Sequence, residues 1–146
     1  MQIDFDWLES ELDSPLSKGE RKALQDVIEV MFVSEGMTII HQNSTPEALY
    51  LLQSGNVEVH GRNMNGHDVV LSRNSRLKVL GEISFFSGGP TSASVIADHP
   101  CILYKIGRDA FEGLMQAQPS LVMKLFSLIV RNMGEVIVRQ DAKMRS

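Results

Sequence analysis

A single cysteine, Cys101, excludes a disulfide framework and any multi-cysteine metal site. Its surroundings, Cys101-Ile102-Leu103-Tyr104-Lys105-Ile106, read as a strand, so a buried and inert thiol is expected. No apolar run approaches the ~20 residues that span a bilayer, and the acidic N-terminus lacks the form of a signal peptide. A soluble, cytoplasmic chain is the expectation. Basic excess is absent as well: the formal net charge is −4, which argues against a nucleic-acid surface. Internal repeats and low-complexity segments are missing, as are a P-loop, a dinucleotide fingerprint and a G-x-S-x-G nucleophile elbow. The four histidines, His41, His60, His67 and His99, lack metal-ligand spacing and read as surface or edge-strand residues. His67 can pair with Asp68 beside it, while Glu9, Glu11 and Asp13 read as solvated acids on a helix surface. Neither a metal site nor an enzyme is expected.

What is present fits one domain of 146 residues, long enough to bury a core without staples. Phe5, Trp7, Leu8 and Leu12 among acids predict a short amphipathic helix, with Trp7 packed on the chain's own surface. Ser14-Pro15-Leu16 ends it. Ser17 and Glu20 then stand at capping-box spacing, and Leu24, Val27, Ile28 and Met31 continue at helical intervals. From Phe32 the period shortens to that of strands, around a turn at Gly36. Ser44-Thr45-Pro46 is loop, Ala48 to Gln53 a strand and Ser54-Gly55 a turn. Val57-Glu58-Val59 alternates cleanly, and Asn65-Gly66 signals a hairpin into a strand from Asp68 to Ser72. Strands at 95–97 and 101–106 flank an Asp98-His99-Pro100 turn. Short strands with regular turns predict a small antiparallel β-barrel or jelly roll with flanking helices. A short helix over 109–115 precedes a longer one opened by Pro119. Along it Leu121, Val122, Leu125, Leu128, Ile129, Met133, Val136 and Ile137 form a wide apolar face, suited either to an intramolecular core or to a homodimer seam.

The stretch around which the rest is organised runs from Leu80 to Val95, LGEISFFSGGPTSASV. A glycine ahead of a helical turn lets backbone N–H groups converge on one spot, where an anion can sit. Glu82 beside that spot would repel phosphate, but an ionised carboxylate accepts hydrogen bonds from hydroxyls. The stretch therefore invites phosphate on the amides and a sugar hydroxyl on the glutamate.

This stretch resembles the phosphate-binding cassette of the cyclic nucleotide-binding domain. That family includes bacterial regulators of the catabolite activator type, cyclic AMP-dependent kinase regulatory subunits and nucleotide-gated channels. Gly81, Glu82, Ile83, Ser84, Pro90, Ser92, Ala93 and Val95 follow the family pattern, whereas Thr91 stands where the pattern has arginine. FVSEGMTIIHQN similarly resembles the family's opening strands, and the resemblance runs from about Leu16 to the C-terminus. It implies a helical segment over 1–15 and a cyclic nucleotide-binding-like domain over 16–146, its C-terminal helix included.

The resemblance also implies roles. Glu82 would accept from a ribose 2′-hydroxyl and Gly81 would admit the backbone. The N–H groups of Ile83 and Ser84 would face the phosphate, Ser92 and Ala93 would add donors opposite, and Thr91 would occupy the arginine's place. The missing charge-assisted bonds, on the order of 1.5–3 kcal/mol each, correspond to roughly one to two decades of affinity. Arg73, Arg76 and Lys78 precede the cassette where the family has a glycine-containing loop; they either solubilise that loop or supply the missing cation. The expectation is a stand-alone regulatory module without a cofactor, binding cyclic AMP, cyclic GMP or a related phosphate ligand and signalling to a protein partner through its C-terminal helix. The alternative is a ligand-free scaffold used for docking or dimerisation. The chain ends where family transcription factors begin a helix-turn-helix, so no operator binding is expected of it.

Overall fold

A computed structural model describes residues 2–62, 64–73 and 77–145, with side chains as far as Met133. In chain order the elements are α1 (Phe5–Leu12), α2 (Lys18–Val27), β1 (Ile28–Val33), β2 (Thr38–Ile40), β3 (Ala48–Ser54) and β4 (Val57–Arg62). Then come β5 (Asp68–Ser72), β6 (Val79–Leu80), α3 (Glu82–Ser87), β7 (Ser94–Ala97), β8 (Cys101–Gly107), α4 (Arg108–Ala117) and α5 (Pro119–Arg145). They cluster into two compact units, Ile28–Arg108 and the combination of Met1–Val27 with Asp109–Ser146.

The strand unit consists of two antiparallel four-stranded sheets, ordered β1-β8-β3-β6 and β2-β7-β4-β5. This is the jelly-roll architecture with flanking helices; the strands pair within two sheets and do not close into a barrel. Its core draws on both, with Val33, Leu52, Leu80 and Leu103 from one and Ile40, Val57, Val95 and Ala97 from the other. The helical interval expected to carry through Ile28 and Met31 stops at Val27. Ile28 and Met31 belong to β1, which pairs with β8 from Ile28↔Ile106 to Val33↔Cys101. A ladder of six residue pairs with β-branched members outweighs a spacing that also suits a helix. Cys101 is buried as expected, its thiol donating to the Asn56 and His99 carbonyls, and burial pushes the thiol pKa up.

In the helical unit, Asp4 caps α1 by accepting the Trp7 N–H at 3.0 Å. Trp7 is half-buried, Leu8 and Leu12 fully so. Glu9 is not merely solvated: it pairs with Arg21 and accepts the Leu16 N–H at 3.0 Å. The capping box forms in both directions, Ser17 N–H to Glu20 at 3.0 Å and Glu20 N–H to Ser17 Oγ at 3.1 Å. On α5, Leu121, Val122, Leu125, Leu128 and Ile129 are buried and Met133 partly so, while the side chains of Val136 and Ile137 lie outside the described ones.

Glu20 also receives the Lys124 ammonium of α5 at 3.0 Å, which ties α2 to α5. Burial alone would raise the Glu20 pKa, but the Ser17 and Lys124 bonds more than offset it and hold the group below its ordinary 4.5. A depressed folded value means stabilisation that is fully present above pH 4.5 and lost as pH falls through the folded value. Glu20→Ala is expected to cost about 1–3 kcal/mol at neutral pH, since it removes a cap and leaves Lys124 without its carboxylate. Urea unfolding checks this; the gap between wild type and variant should narrow as the solution is acidified below that range.

Candidate functional site

The site begins where β6 ends. Gly81 adopts φ +78° at the N-cap of α3, and a Cβ there would lie 3.1 Å from Ile40 Cδ1, so both backbone and space call for glycine. The turn anticipated from Ile83 to Phe86 is α3, closed by Gly88 in the left-handed region. The chain then runs back through Thr91, Ser92 and Ala93 into β7. Between these arms lies a cavity of about 120 Å³. Gly81, Glu82, Ile83 and Ser84 line it from one arm, Thr91, Ser92 and Ala93 from the other, and Ile40 and Val95 complete the wall. All seven residues expected from the cassette therefore share one cavity. Its volume is below the ~300–1,000 Å³ of pockets that enclose a whole drug-sized ligand, and suits a compact polar fragment. First-turn N–H groups of a helix have no intrahelical partner, which places those of Ile83 and Ser84 beside this space.

Thr91 behaves differently from a free donor. It is 6% exposed, its hydroxyl donates to the His41 carbonyl at 2.6 Å and accepts the Ser44 N–H at 3.1 Å. Its main chain adds Thr91 N–H to the Ser44 carbonyl at 2.8 Å and Asn43 N–H to the Thr91 carbonyl at 2.9 Å. Thr91 thus staples the 41–44 turn to the cassette, with its single hydroxyl proton already committed. Ile40 reaches the wall because β2 pairs with β7, where it stands opposite Val95, a long-range pairing that local spacing does not show.

Among the described residues Glu82 is the cavity's one ionisable side chain, and burial pushes its pKa up, opposed only by its own backbone N–H. No described cation lines the cavity. Arg73 reaches Glu58 at 3.6 Å, Lys78 is absent from the wall, and Arg76 lies outside the described residues. Arg108, unnoticed in the sequence, braces α3 from behind. Its guanidinium lies 4.5 Å from the Phe85 ring centroid, donates to the Phe85 carbonyl at 2.6 Å and faces Glu47 at 3.4 Å. A cation near the last carbonyls of a helix is favourable, so Arg108 positions the turn without touching the cavity.

Other polar groups stand elsewhere. His60 bridges Glu58 at 2.9 Å and Asp68 at 3.3 Å; burial alone would lower its pKa, but the two carboxylates raise it. No grouping of three or more potential metal ligands occurs among the described residues, and none of the described helices is long and apolar enough to cross a membrane.

The class these features define is a jelly-roll domain carrying a glycine-capped helical turn opposite a small-residue arm, with a cavity between them. The chain belongs to the cyclic nucleotide-binding domain family, whose model matches residues 30–118. The cAMP-activated global transcriptional regulator CRP of Salmonella typhimurium is 32% identical over 97 residues, 66% of this chain and 46% of that protein. The cAMP-dependent protein kinase regulatory subunit of Aspergillus fumigatus is 30% identical over 102 residues, 70% of this chain and 24% of that one. The chain thus spans less than half the length of these relatives. In fold it resembles a cyclic nucleotide-binding domain from Methylobacillus flagellatus, with TM-score 0.85 and 19% identity over 95% of this chain and 81% of the other. The Thermus thermophilus catabolite activator protein gives TM-score 0.72 and 24% identity, covering 92% and 63%.

Proposed function

We propose that the chain is a non-catalytic, cytoplasmic regulatory module whose cassette takes the ribose-phosphate part of a cyclic nucleotide, with affinity weakened by the absent arginine. The observation that carries this reading is the convergence of Gly81, Glu82, Ile83, Ser84, Thr91, Ser92 and Ala93 on one cavity. Glu82 accepts from a ribose hydroxyl, the Ile83 and Ser84 N–H groups meet the phosphate, and Ser92 and Ala93 donate from the opposite arm. The names of the relatives, a cAMP-activated regulator and a cAMP-dependent kinase subunit, support cyclic AMP as the first ligand to try. Binding is weakened because a phosphate charge about 5 Å from an ionised carboxylate is repelled by roughly 3 kcal/mol at an effective dielectric of ~20.

Signalling runs through α5 to a protein partner, which can be a second copy of the chain. It requires that the ligand favour one α5 position, since equal affinity for both would shift nothing. A second reading, a ligand-free docking module, is favoured by the committed Thr91 hydroxyl and the lack of a described cation on the wall. Titration calorimetry with cyclic AMP and cyclic GMP separates the two. Saturable heat from the wild type supports the ligand-binding module. Silence from both the wild type and Thr91→Arg leaves the docking module.

A further inference from the structure

The cavity combines a desolvated carboxylate with walls on which the described residues offer an anion only neutral donors. Glu82 is the sole ionisable residue of α3; β2, β6 and residues 91–97 hold none, and β3 holds only the Tyr50 phenol. The ionisable residues bordering these elements are His41, Glu47, Lys78, Asp98 and Arg108, none of the five lines the cavity, and Asp98 is engaged by Asn56 and His99. Glu47 and Arg108 face one another, and Arg108 is further engaged at the Phe85 carbonyl. An anion entering here brings one negative charge towards another with no described counter-charge on the wall.

We propose that the pocket takes a phosphate-bearing ligand together with one proton, which settles on the Glu82 carboxylate. This rests on the cyclic-nucleotide reading above and adds a regulation to it. The proton comes from solvent, while the phosphodiester, a strong acid, keeps its charge. Once neutral, the carboxyl gains an O–H donor for a phosphate oxygen and keeps acceptor capacity for a ribose hydroxyl. Burial at the cavity wall pushes the Glu82 pKa up, and a bound anion pushes it further. Affinity then weakens as pH rises, approaching about tenfold per pH unit between the free and the bound pKa of Glu82. A pocket of this kind reports nucleotide and acidity jointly.

The test is calorimetry of the whole chain with cyclic AMP in two buffers of different ionisation enthalpy, repeated across mildly acidic to neutral pH. The expected result is a buffer-dependent heat corresponding to net proton uptake, with affinity loosening as pH rises. Glu82→Gln should bind without proton uptake and with a flat pH profile, and Thr91→Arg should show much reduced uptake because its cation stabilises the ionised carboxylate. Binding without uptake and flat with pH overturns the proposal while leaving the nucleotide reading intact. Uptake that persists in Glu82→Gln also overturns it. A wild type silent even in mild acid beside a binding Thr91→Arg does the same, since protonation should have restored affinity. No binding by either protein at any pH removes the nucleotide reading and this inference with it.

Discussion

Thr91→Arg is expected to tighten cyclic AMP binding by roughly ten- to a hundredfold. The introduced guanidinium would stand between the Glu82 carboxylate and the ligand phosphate, replacing a repulsion by charge-assisted hydrogen bonds on both sides. The gain has a structural cost. The Thr91 hydroxyl bonds to the His41 carbonyl and the Ser44 N–H would be lost, while the main-chain bonds to Ser44 and Asn43 can persist. A destabilisation of about 1–2 kcal/mol should therefore accompany the tighter binding. Thr91→Val separates the two effects, because it removes the hydroxyl without adding a cation. It should be similarly destabilised in urea and show no gain in the calorimeter. Equal affinity of the two variants would mean that no phosphate sits opposite position 91.

The second large effect is on stability. Gly55 turns the chain from β3 into β4 at φ +100°, and a Cβ there would meet the Pro100 carbonyl oxygen at 2.5 Å and Cys101 Cα at 2.8 Å. One is a backbone atom of the turn before β8 and the other of the first residue of β8, so relief requires moving the backbone rather than rotating a side chain. Gly55→Ala should cost about 2–5 kcal/mol, the sum of left-handed strain and overpacking. Gly66 in the β4–β5 hairpin is the control: its φ is +77°, but nothing lies within 4 Å of where an added methyl would stand. Gly66→Ala should cost only about 1 kcal/mol. Urea midpoints of the two variants measure the difference directly; equal losses would show that strain alone matters at Gly55.

Much of this molecule is readable along the chain. Ser17 and Glu20 announced a capping box that forms as a reciprocal pair, and Asn65-Gly66 announced the hairpin it makes. The cassette was legible because its elements are local: a glycine before one helical turn, a break at Gly88, and small residues re-entering a strand. Those few residues brought all seven expected positions onto one cavity. The misreadings share a cause. Ile28 and Met31 suited a helix by spacing, but pairing with a strand roughly seventy residues away made them β1. Val79-Leu80 is too short to show a period and exists as β6 because Tyr50 and Leu51 pair with it.

The sequence by itself determined most of the alternation of helices and strands, the turns, the identity of the cassette residues and the absence of an arginine among them. These are set by side-chain chemistry and by periods of two to four residues, which neighbours in the chain suffice to express. Tertiary structure alone decided that Thr91 spends its hydroxyl on the 41–44 turn, that Arg108 braces α3 at Phe85, and that Glu82 lines a wall without a described cation. Each of those outcomes depends on groups brought together from distant positions in the chain. Local spacing does not encode which distant partner a donor meets, or how much water a carboxylate loses when the fold closes around it.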